Sequence, residues 1–260
     1  MRYSNVVPAA MSAPYISYIT LNPDTSLDTS CFPGNLPFTS NLHLDIPSSV
    51  TFFVGENGSG KSTLLEAIAV IAGLPISGGG TNEIGERHGV DERSVLAEVL
   101  RLGFVKRPKD GYFFRAELKA HFGSLLDHRS NDPHFAGNPY SRYGGQSLHA
   151  MSHGEAFLSV MKHRFANGLF LLDEPESALS PQRQLALLAL MYDRVRDRRS
   201  QFIIATHSPV LLTYPEAAII SFDSPSLQVV ALHDTKHYQI TRGILNSPES
   251  YWKHLRDSKA

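Results

Sequence analysis

The chain has 260 residues, of which 42% are hydrophobic and 19% charged, and this composition is typical of a globular protein with a sizeable core. Its formal net charge is −1, so the composition provides no overall basic surface for nucleic acid or anionic membranes. The single cysteine, Cys31, excludes an intrachain disulfide, and no apolar stretch approaches the roughly 20 residues of a membrane span. We therefore expect a soluble, cytoplasmic protein.

The first part of the chain has the pattern of β-strands. Residues 15–21 and 38–46 alternate between apolar and polar side chains, and residues 50–54 form a continuous apolar run. A connection rich in proline and glycine separates the first two of these segments. We predict a β region that ends in a buried strand.

A glycine-rich loop follows that strand. Residues 55–63 match the spacing G-x-x-x-x-G-K-S/T, and a helical pattern begins at Ser62. Backbone N–H groups of such a loop point at an anion, Lys61 would reach the β- and γ-phosphates, and Ser62 would bind Mg²⁺. The predicted nucleotide-binding residues of the loop are Gly55, Glu56, Asn57, Gly58, Ser59, Gly60, Lys61, Ser62 and Thr63.

The segment at residues 75–150 has a different character. Residues 90–102 and 116–126 have helical spacing, and residues 111–114 are a candidate short strand. Residues 131–146 are rich in proline, glycine, asparagine and serine, which favours an irregular loop. We predict an inserted helical subdomain.

Strands alternate with helices again in residues 151–223, which predicts a largely parallel sheet. One buried strand ends in the sequence Leu-Phe-Leu-Leu-Asp-Glu at residues 169–174, which is the Walker B pattern. Asp173 would hold Mg²⁺, and Glu174 would polarise the attacking water as a general base. The alternative is that these two residues are solvated acids at a strand end without a catalytic role. The P-loop upstream makes this the weaker interpretation.

Two further short patterns flank this strand. His207 follows the next buried strand, where it is placed to contact a γ-phosphate. Ser152 and Gly154 come directly before a helix, whose first N–H groups would face an anion. Each pattern by itself is more typical of a capped turn or helix start, and their order around Walker B favours the functional interpretation of His207.

Together these motifs resemble the ABC-type P-loop ATPase superfamily. The order of P-loop, Ser-His-Gly-Glu signature (152–155), Walker B, D-loop (177–180) and His207 is that of the superfamily. The signature, with Asp-Glu-Pro-Glu (173–176) and Thr-His-Ser-Pro (206–209), is similar to the stand-alone, non-transporter branch near the RecF and structural-maintenance-of-chromosomes ATPases. The chain also resembles a group of small bacterial "AAA family" predicted ATPases of about this length.

The resemblance implies an α/β P-loop NTPase fold, with a mostly parallel sheet, an N-terminal antiparallel β part and an inserted helical subdomain. We expect one ABC-type ATPase domain over residues 1–260. Its core would comprise residues 15–74 and 151–223, with residues 75–150 inserted and residues 224–260 as a C-terminal extension.

The resemblance also implies that two subunits enclose two ATP molecules with Mg²⁺. Ser152, Gly154 and Glu155 of one subunit would then face the P-loop of the other, which predicts an ATP-dependent homodimer. The predicted catalytic residues are Glu174, His207 and Lys61, and the predicted metal ligands are Ser62 and Asp173.

Some positions leave alternatives open. Arg115 or Glu117, or neither, takes the place of the glutamine with which transporter ATPases sense the metal and the water, and Arg115 is alternatively a structural ion-pair partner. Ser180 stands where transporters usually carry aspartate. The aromatic side chain that would stack on adenine is also open; Tyr15, Tyr18, Phe32 and Phe38 are candidates, each better explained as core.

The sequence therefore predicts an enzyme that hydrolyses ATP to ADP and phosphate and dimerises with ATP, in a DNA-related or defence process with a possible nucleic acid or protein partner. The alternative is the nucleotide-binding subunit of an ABC transporter that works with a separate membrane permease. An ATP-gated scaffold without hydrolysis is a third interpretation, which the carboxylate of Glu174 disfavours.

Overall fold

The computed structural model describes residues 15–81, 93–115, 153–165 and 167–257. Its strands are β1 (Ile16–Leu21), β2 (His43–Asp45), β3 (Val50–Val54), β4 (Gly79–Gly80), β5 (Leu100–Phe104), β6 (Gly111–Arg115), β7 (Gly168–Asp173), β8 (Ser200–Ala205), β9 (Ala218–Ser221) and β10 (Gln228–Val230). Its α-helices are α1 (Lys61–Ala72), α2 (Val95–Val99), α3 (His153–Arg164), α4 (Pro181–Arg196), α5 (Lys236–Asn246) and α6 (Pro248–Asp257). Among these described helices, none has the length and apolar character needed to cross a membrane.

The larger sheet has seven strands in the order β10-β9-β3-β8-β7-β6-β4. The five central strands, from β9 to β6, are parallel, and an antiparallel strand pairs at each edge. The order places β8 between the strand of the P-loop and the strand of Walker B. The predicted, mostly parallel α/β sheet is therefore confirmed.

The smaller sheet is antiparallel and has the order β2-β1-β5. It confirms the antiparallel N-terminal part, but the helix predicted over residues 90–102 is wrong beyond Val99. Leu100 and Leu102 pair with Leu21 and Ile19 of β1, because their alternation suits a strand as well as a helix. Ser94 starts the short helix α2, where its Oγ accepts a hydrogen bond from the Ala97 N–H (3.3 Å).

The strand predicted over residues 38–46 is also shorter than expected. Residues Pro37–Asn41 form a 3₁₀ helix, and only His43–Asp45 pair as β2. The short strand expected at residues 111–114 is present as β6. The helix predicted at residues 116–126 and the loop predicted at residues 131–146 lie outside the described residues, so the boundaries of the inserted subdomain stay a prediction.

Apolar side chains cover both faces of the larger sheet, which explains its nearly continuous hydrophobic strands. Adjacent residues of β3 point to opposite faces: Phe53 packs in the core with α1, whereas Phe52 packs in the core with α3 and α4. Both rings are fully buried. The sheet is thereby fixed between helices, and the polar residues that follow β3, β7 and β8 meet at its carboxyl edge, where open α/β sheets bind ligands.

Candidate ATP site

The P-loop adopts a conformation that only glycine allows at several positions. Gly55, Gly58 and Gly60 have φ angles of 150°, 77° and 94°. A Cβ atom on Gly60 would also lie 2.7 Å from Cε1 of Phe38, which is closer than side chains approach. The loop therefore packs tightly on the hydrophobic core at Gly60, whereas its tip at residues 56–58 is exposed. This leaves backbone N–H groups before α1 in the place where P-loops bind phosphate.

Lys61 is 4% exposed and folds back into the loop. Its Nζ donates hydrogen bonds to the carbonyl oxygens of Gly55 (2.7 Å) and Glu56 (2.9 Å) and lies 3.4 Å from Ser59 Oγ. Burial lowers the pKa of Lys61, and the carboxylates of Glu174 and Asp173 oppose that shift. The ammonium group is held at the centre of the loop, which is the position required for contact with the β- and γ-phosphates.

Ser62 and Asp173 join the P-loop to Walker B. The Ser62 hydroxyl, in the first turn of α1, donates a hydrogen bond to Oδ1 of Asp173 at the end of β7 (2.9 Å). Burial raises the pKa of Asp173 to about 6, although the Ser62 hydrogen bond and the Arg115 charge act in the opposite direction. A hydroxyl and a carboxylate oxygen side by side are the hard donors that Mg²⁺ prefers, so these residues fit the predicted metal.

Arg115 lies beside this pair. Its Nη1 is 2.7 Å from Oε1 of Glu66 on α1, and its Nε is 3.8 Å from Oδ2 of Asp173. The buried Nε makes no hydrogen bond within the described part of the chain. The structure thus places Arg115 in an ion pair at the edge of the predicted metal site, while Glu117 lies outside the described residues.

Glu174 has a strained backbone and an accessible carboxylate. Its φ and ψ of 46° and 54° are left-handed, which costs a residue with a Cβ about 1–2 kcal/mol. Its N–H donates to the carbonyl oxygen of Ala205 (2.9 Å), which ties the end of β7 to the end of β8. The side chain is 45% exposed, against 10% for Asp173. The two adjacent carboxylates therefore differ in exposure. The buried one suits a metal ligand, and the accessible one suits a base that activates water.

His207 lies in the loop after β8, and Glu176 holds that loop in place. The Glu176 carboxylate accepts hydrogen bonds from the His207 N–H (2.6 Å) and from Thr206 Oγ1 (2.8 Å). The His207 ring extends to Glu174, with Nε2 3.4 Å from Oε1, yet this buried Nε2 has no hydrogen-bond partner in the described part of the chain. An imidazole nitrogen without a partner, next to Glu174, suits contact with a terminal phosphate.

Sequence reasoning missed several neighbours of this site. Glu176 could have been suspected as the last acid of Asp-Glu-Pro-Glu, because a partly buried carboxylate after a strand end needs hydrogen-bond donors. His237 and Lys236 had no such signal: α5 brings His237 Nε2 to 2.8 Å from His207 Nδ1, and Lys236 Nζ to 3.8 Å from Oε1 of Glu56. A sequence pattern does not show where a C-terminal helix packs.

The signature segment is described only in part. Helix α3 begins at His153, so Gly154, which was expected directly before the helix, lies in its first turn; Ser152 lies just outside the described residues. Glu155 is exposed and forms an ion pair with Arg183 of α4 (3.3 Å). The nucleotide contacts expected of Ser152, Gly154 and Glu155 therefore stay predictions.

The aromatic candidates for adenine stacking separate into two pairs. Tyr15 and Phe38 are buried, whereas Tyr18 and Phe32 are 41% and 65% exposed. Phe38 contacts Gly60 of the P-loop and lines a cavity of about 350 Å³ with residues 40–43 and 225–227. Phe38 is thus the candidate that the structure places beside the nucleotide loop.

Known proteins with similar sequences are described as AAA domains or as ATP-binding proteins. Residues 104–213 match a family described as "AAA domain, putative AbiEii toxin, Type IV TA system", and residues 34–114 match one described as "AAA domain". The hemin import ATP-binding protein HmuV of Streptomyces coelicolor is 30% identical over 63% of this chain and 61% of its own length. The lipoprotein-releasing system ATP-binding protein LolD 2 of Caulobacter vibrioides is 26% identical over 72% of this chain and 86% of its own length.

Fold, site and relatives together define a P-loop ATPase with a joined Walker A and Walker B pair. The motifs and the ATP-binding relatives support an ABC-type ATPase within that class. The match spans only about three fifths of the length of the hemin import relative. Its substrate and partners therefore do not transfer to this chain.

Two solved structures are similar at a lower level. The cbiO1 protein of Clostridium perfringens, part of an ABC transporter complex, has 16% identity and a TM-score of 0.48 over 93% of this chain and 99% of its own. The SMC head domain from Thermotoga maritima has 15% identity and a TM-score of 0.43 over 83% of this chain and 98% of its own. Neither likeness supports a conclusion about activity.

Proposed function

We propose that this chain hydrolyses ATP to ADP and phosphate with Mg²⁺. The observation that carries the proposal is the 2.9 Å hydrogen bond between Ser62 and Asp173, which are 111 residues apart in the chain. It brings two hard oxygen ligands together beside the buried ammonium group of Lys61. Magnesium held there would neutralise charge on the β- and γ-phosphates.

Lys61, Glu174 and His207 have separate roles in the proposed hydrolysis. Lys61 orients the β- and γ-phosphates, and Glu174 accepts a proton from the attacking water. The water oxygen forms a bond to the γ-phosphorus as the bond from that phosphorus to the β-γ bridging oxygen breaks, and ADP leaves with that oxygen. His207, whose Nε2 lies 3.4 Å from Oε1 of Glu174, donates a hydrogen bond to the γ-phosphate.

Phosphate release from ATP tests this proposal. Glu174→Gln should keep ATP binding and lower kcat by about 10²–10⁴-fold, the usual contribution of a general base. Glu216→Gln is a matched control, because Glu216 is also exposed and left-handed (φ 63°) but lies after Tyr214, away from the P-loop. Equal turnover by wild type and Glu174→Gln would refute the assigned base.

We further propose that the active form is an ATP-dependent homodimer. Each chain carries one P-loop and one signature segment, so a closed sandwich needs a second copy. Ser152, Gly154 and Glu155 of one copy would face the γ-phosphate of the other, and the N-terminus of α3 would add its dipole.

Light scattering tests the dimer. With ATP, Glu174→Gln should have about twice the chain mass of 28.7 kDa, and without ATP it should be a monomer. Ser152→Arg should bind ATP but neither dimerise nor hydrolyse it. A stable monomer with ATP bound, or full turnover by Ser152→Arg, would refute the sandwich.

For the biological setting we propose a stand-alone role in defence or a DNA-related process. The family description that names a toxin–antitoxin system supports defence, and the Ser-His-Gly-Glu signature resembles the non-transporter branch. The second candidate is the nucleotide-binding subunit of a transporter, which the import ATP-binding relatives favour. Affinity capture of ATP-bound Glu174→Gln separates them: a toxin or antitoxin partner, or nucleic acid, supports the first, whereas a membrane permease supports the second.

A further inference from the structure

A direct contact joins two histidines at the proposed catalytic centre. His207 Nδ1 lies 2.8 Å from Nε2 of His237, and the His207 ring's other nitrogen lies 3.4 Å from Oε1 of Glu174. His207 is therefore held between the proposed base and a residue of the C-terminal helix α5. The inference drawn from this contact rests on the proposed function of His207.

The first turn of α5 is anchored so that His237 stays in place. Thr235 caps the helix and is 4% exposed; its Oγ1 donates to the carbonyl oxygen of Leu232 (2.8 Å) and accepts from the Tyr238 N–H (3.4 Å). Lys236 Nζ is 3.8 Å from Oε1 of Glu56 in the P-loop and 4.0 Å from Oδ2 of Asp223. Two consecutive residues of this turn thus touch the site, one at the P-loop and one at His207.

The contact with His237 and the carboxylate of Glu174 together favour one position of the proton on the His207 ring. If His237 donates from Nε2, then His207 Nδ1 accepts, and the His207 proton stays on Nε2, which faces Glu174. The opposite arrangement would turn an imidazole lone pair towards a carboxylate. Burial and, to a smaller extent, the charges of Lys61 and His237 lower the pKa of His207. The carboxylate of Glu174 acts in the opposite direction, and the neutral ring is favoured.

We propose that His237 is a positioning residue: it fixes the tautomer and ring orientation of His207, so that His207 Nε2–H points at the γ-phosphate. Helix α5 is then a part of the ATP site. It reaches the catalytic centre from the C-terminal side of the fold, beyond the strands that carry the P-loop and Walker B.

Three substitutions at His237 test the proposal by kcat and KM for ATP. His237→Ala should lower kcat about five- to tenfold, the value of one hydrogen bond, and change KM less than twofold. Glutamine places an amide where Nε2 of histidine lies, so His237→Gln should restore most of kcat, whereas the shorter His237→Asn should not. His254→Ala, an exposed histidine of α6, is the matched control and should match wild type.

A double-mutant cycle separates positioning from general support of the fold. In a His207→Ala background, His237→Ala should cause no further loss of kcat, because it acts through His207. An equal loss in both backgrounds, an unchanged kcat in His237→Ala, or failure of both glutamine and asparagine to restore kcat would each overturn the proposal. If His237→Ala does not fold, the comparison of glutamine with asparagine decides.

A spectroscopic measurement keeps the two proposals distinct. Nitrogen-15 imidazole spectra of the nucleotide-free protein should show the His207 proton on Nε2, and on both nitrogens in exchange in His237→Ala. An Nδ1–H tautomer in wild type would overturn the positioning role whatever the turnover. Absent turnover in wild type, with the Nε2–H tautomer present, would refute hydrolysis and leave the positioning of His207 supported.

Discussion

Buried polar groups near the two ends of strand β8 differ in whether they have hydrogen-bond partners. Near the amino end, the fully buried Gln201 donates from Nε2 to the carbonyl oxygen of Ile16 (2.8 Å), and its Oε1 accepts from the N–H groups of Ile16 (2.8 Å) and Tyr15 (3.2 Å). Beyond the carboxyl end, His207 Nε2 is buried without a hydrogen-bond partner in the described part of the chain. The first arrangement joins two sheets, and the second leaves a donor available to a ligand.

The same contrast extends to the neighbouring strands. The carboxyl edge also contains the left-handed Glu174, the Nε of Arg115 and the buried carboxylate of Asp173. The strained backbone and the buried polar groups each lower the stability of the chain without a ligand. Such costs are expected where a sequence is selected for binding and catalysis rather than for stability, so substitutions at the two ends should have separable effects.

The largest expected effect is at Lys61. Lys61→Met should weaken ATP binding by about 100-fold or more, because it removes the charged hydrogen bonds to the phosphates. Titration calorimetry with Mg²⁺ and ATP measures it. Lys162→Met, at an exposed lysine of α3, should bind as wild type does. Near-normal affinity in Lys61→Met would place the nucleotide elsewhere.

At the amino end, Gln201→Leu should lower the free energy of unfolding by about 2–4 kcal/mol, because backbone N–H groups of Tyr15 and Ile16 lose their buried acceptor. Its kcat should stay within twofold of wild type. Urea unfolding and phosphate release measure the two quantities. Gln228→Leu, on the exposed face of β10, should alter neither. Loss of turnover without loss of stability in Gln201→Leu would remove the contrast between the two ends.

Asp173→Asn should stabilise the nucleotide-free protein at neutral pH. The folded pKa of Asp173 is raised from 3.8 to about 6, so wild type gains stability as pH falls through about 6 and has gained all of it below 3.8. The advantage of Asp173→Asn should therefore be about 2–3 kcal/mol larger at about pH 7.5 than at about pH 4. Urea unfolding across this range tests it, with the exposed Asp193→Asn as control. An advantage independent of pH would contradict the assigned shift.

The smallest expected effect is at the backbone of Glu174. Glu174→Gly should be more stable than Glu174→Ala by about 1 kcal/mol, because only glycine adopts a left-handed conformation without strain. Both variants lack the carboxylate and should be equally inactive. Thermal unfolding of the two proteins compares them, and an alanine variant that is as stable as the glycine variant would show that residue 174 is not strained.

The sequence predicted what is local and contiguous. It predicts the P-loop residues, including Lys61 and Ser62, and the acids Asp173 and Glu174, because each motif keeps its spacing within one turn or strand end. The parallel sheet then brings Ser62 and Asp173 together. The position of His207 beside Glu174 depends on strand order, since β8, which precedes His207, pairs with β7.

Contacts between distant segments were not predictable in this way. The pairing of β5 with β1 was not predicted, because the spacing of the leucines in β5 also suits a helix. The contact of His237 with His207 depends on how α5 packs, which no local pattern encodes. The partly buried ion pair of Arg115 with Glu66 is only one of the alternatives that the sequence offers, because Glu66 lies on a separate helix.

In the proposed mechanism, the carboxyl edge of the sheet binds ATP, with Mg²⁺ at Ser62 and Asp173. A crystal structure of Glu174→Gln with ATP and Mg²⁺ tests it most directly. We predict phosphates within the loop of residues 55–63, the metal against Ser62 and Asp173, and His207 in contact with the γ-phosphate. Nucleotide bound elsewhere, or a metal that contacts neither Ser62 nor Asp173, would contradict the account.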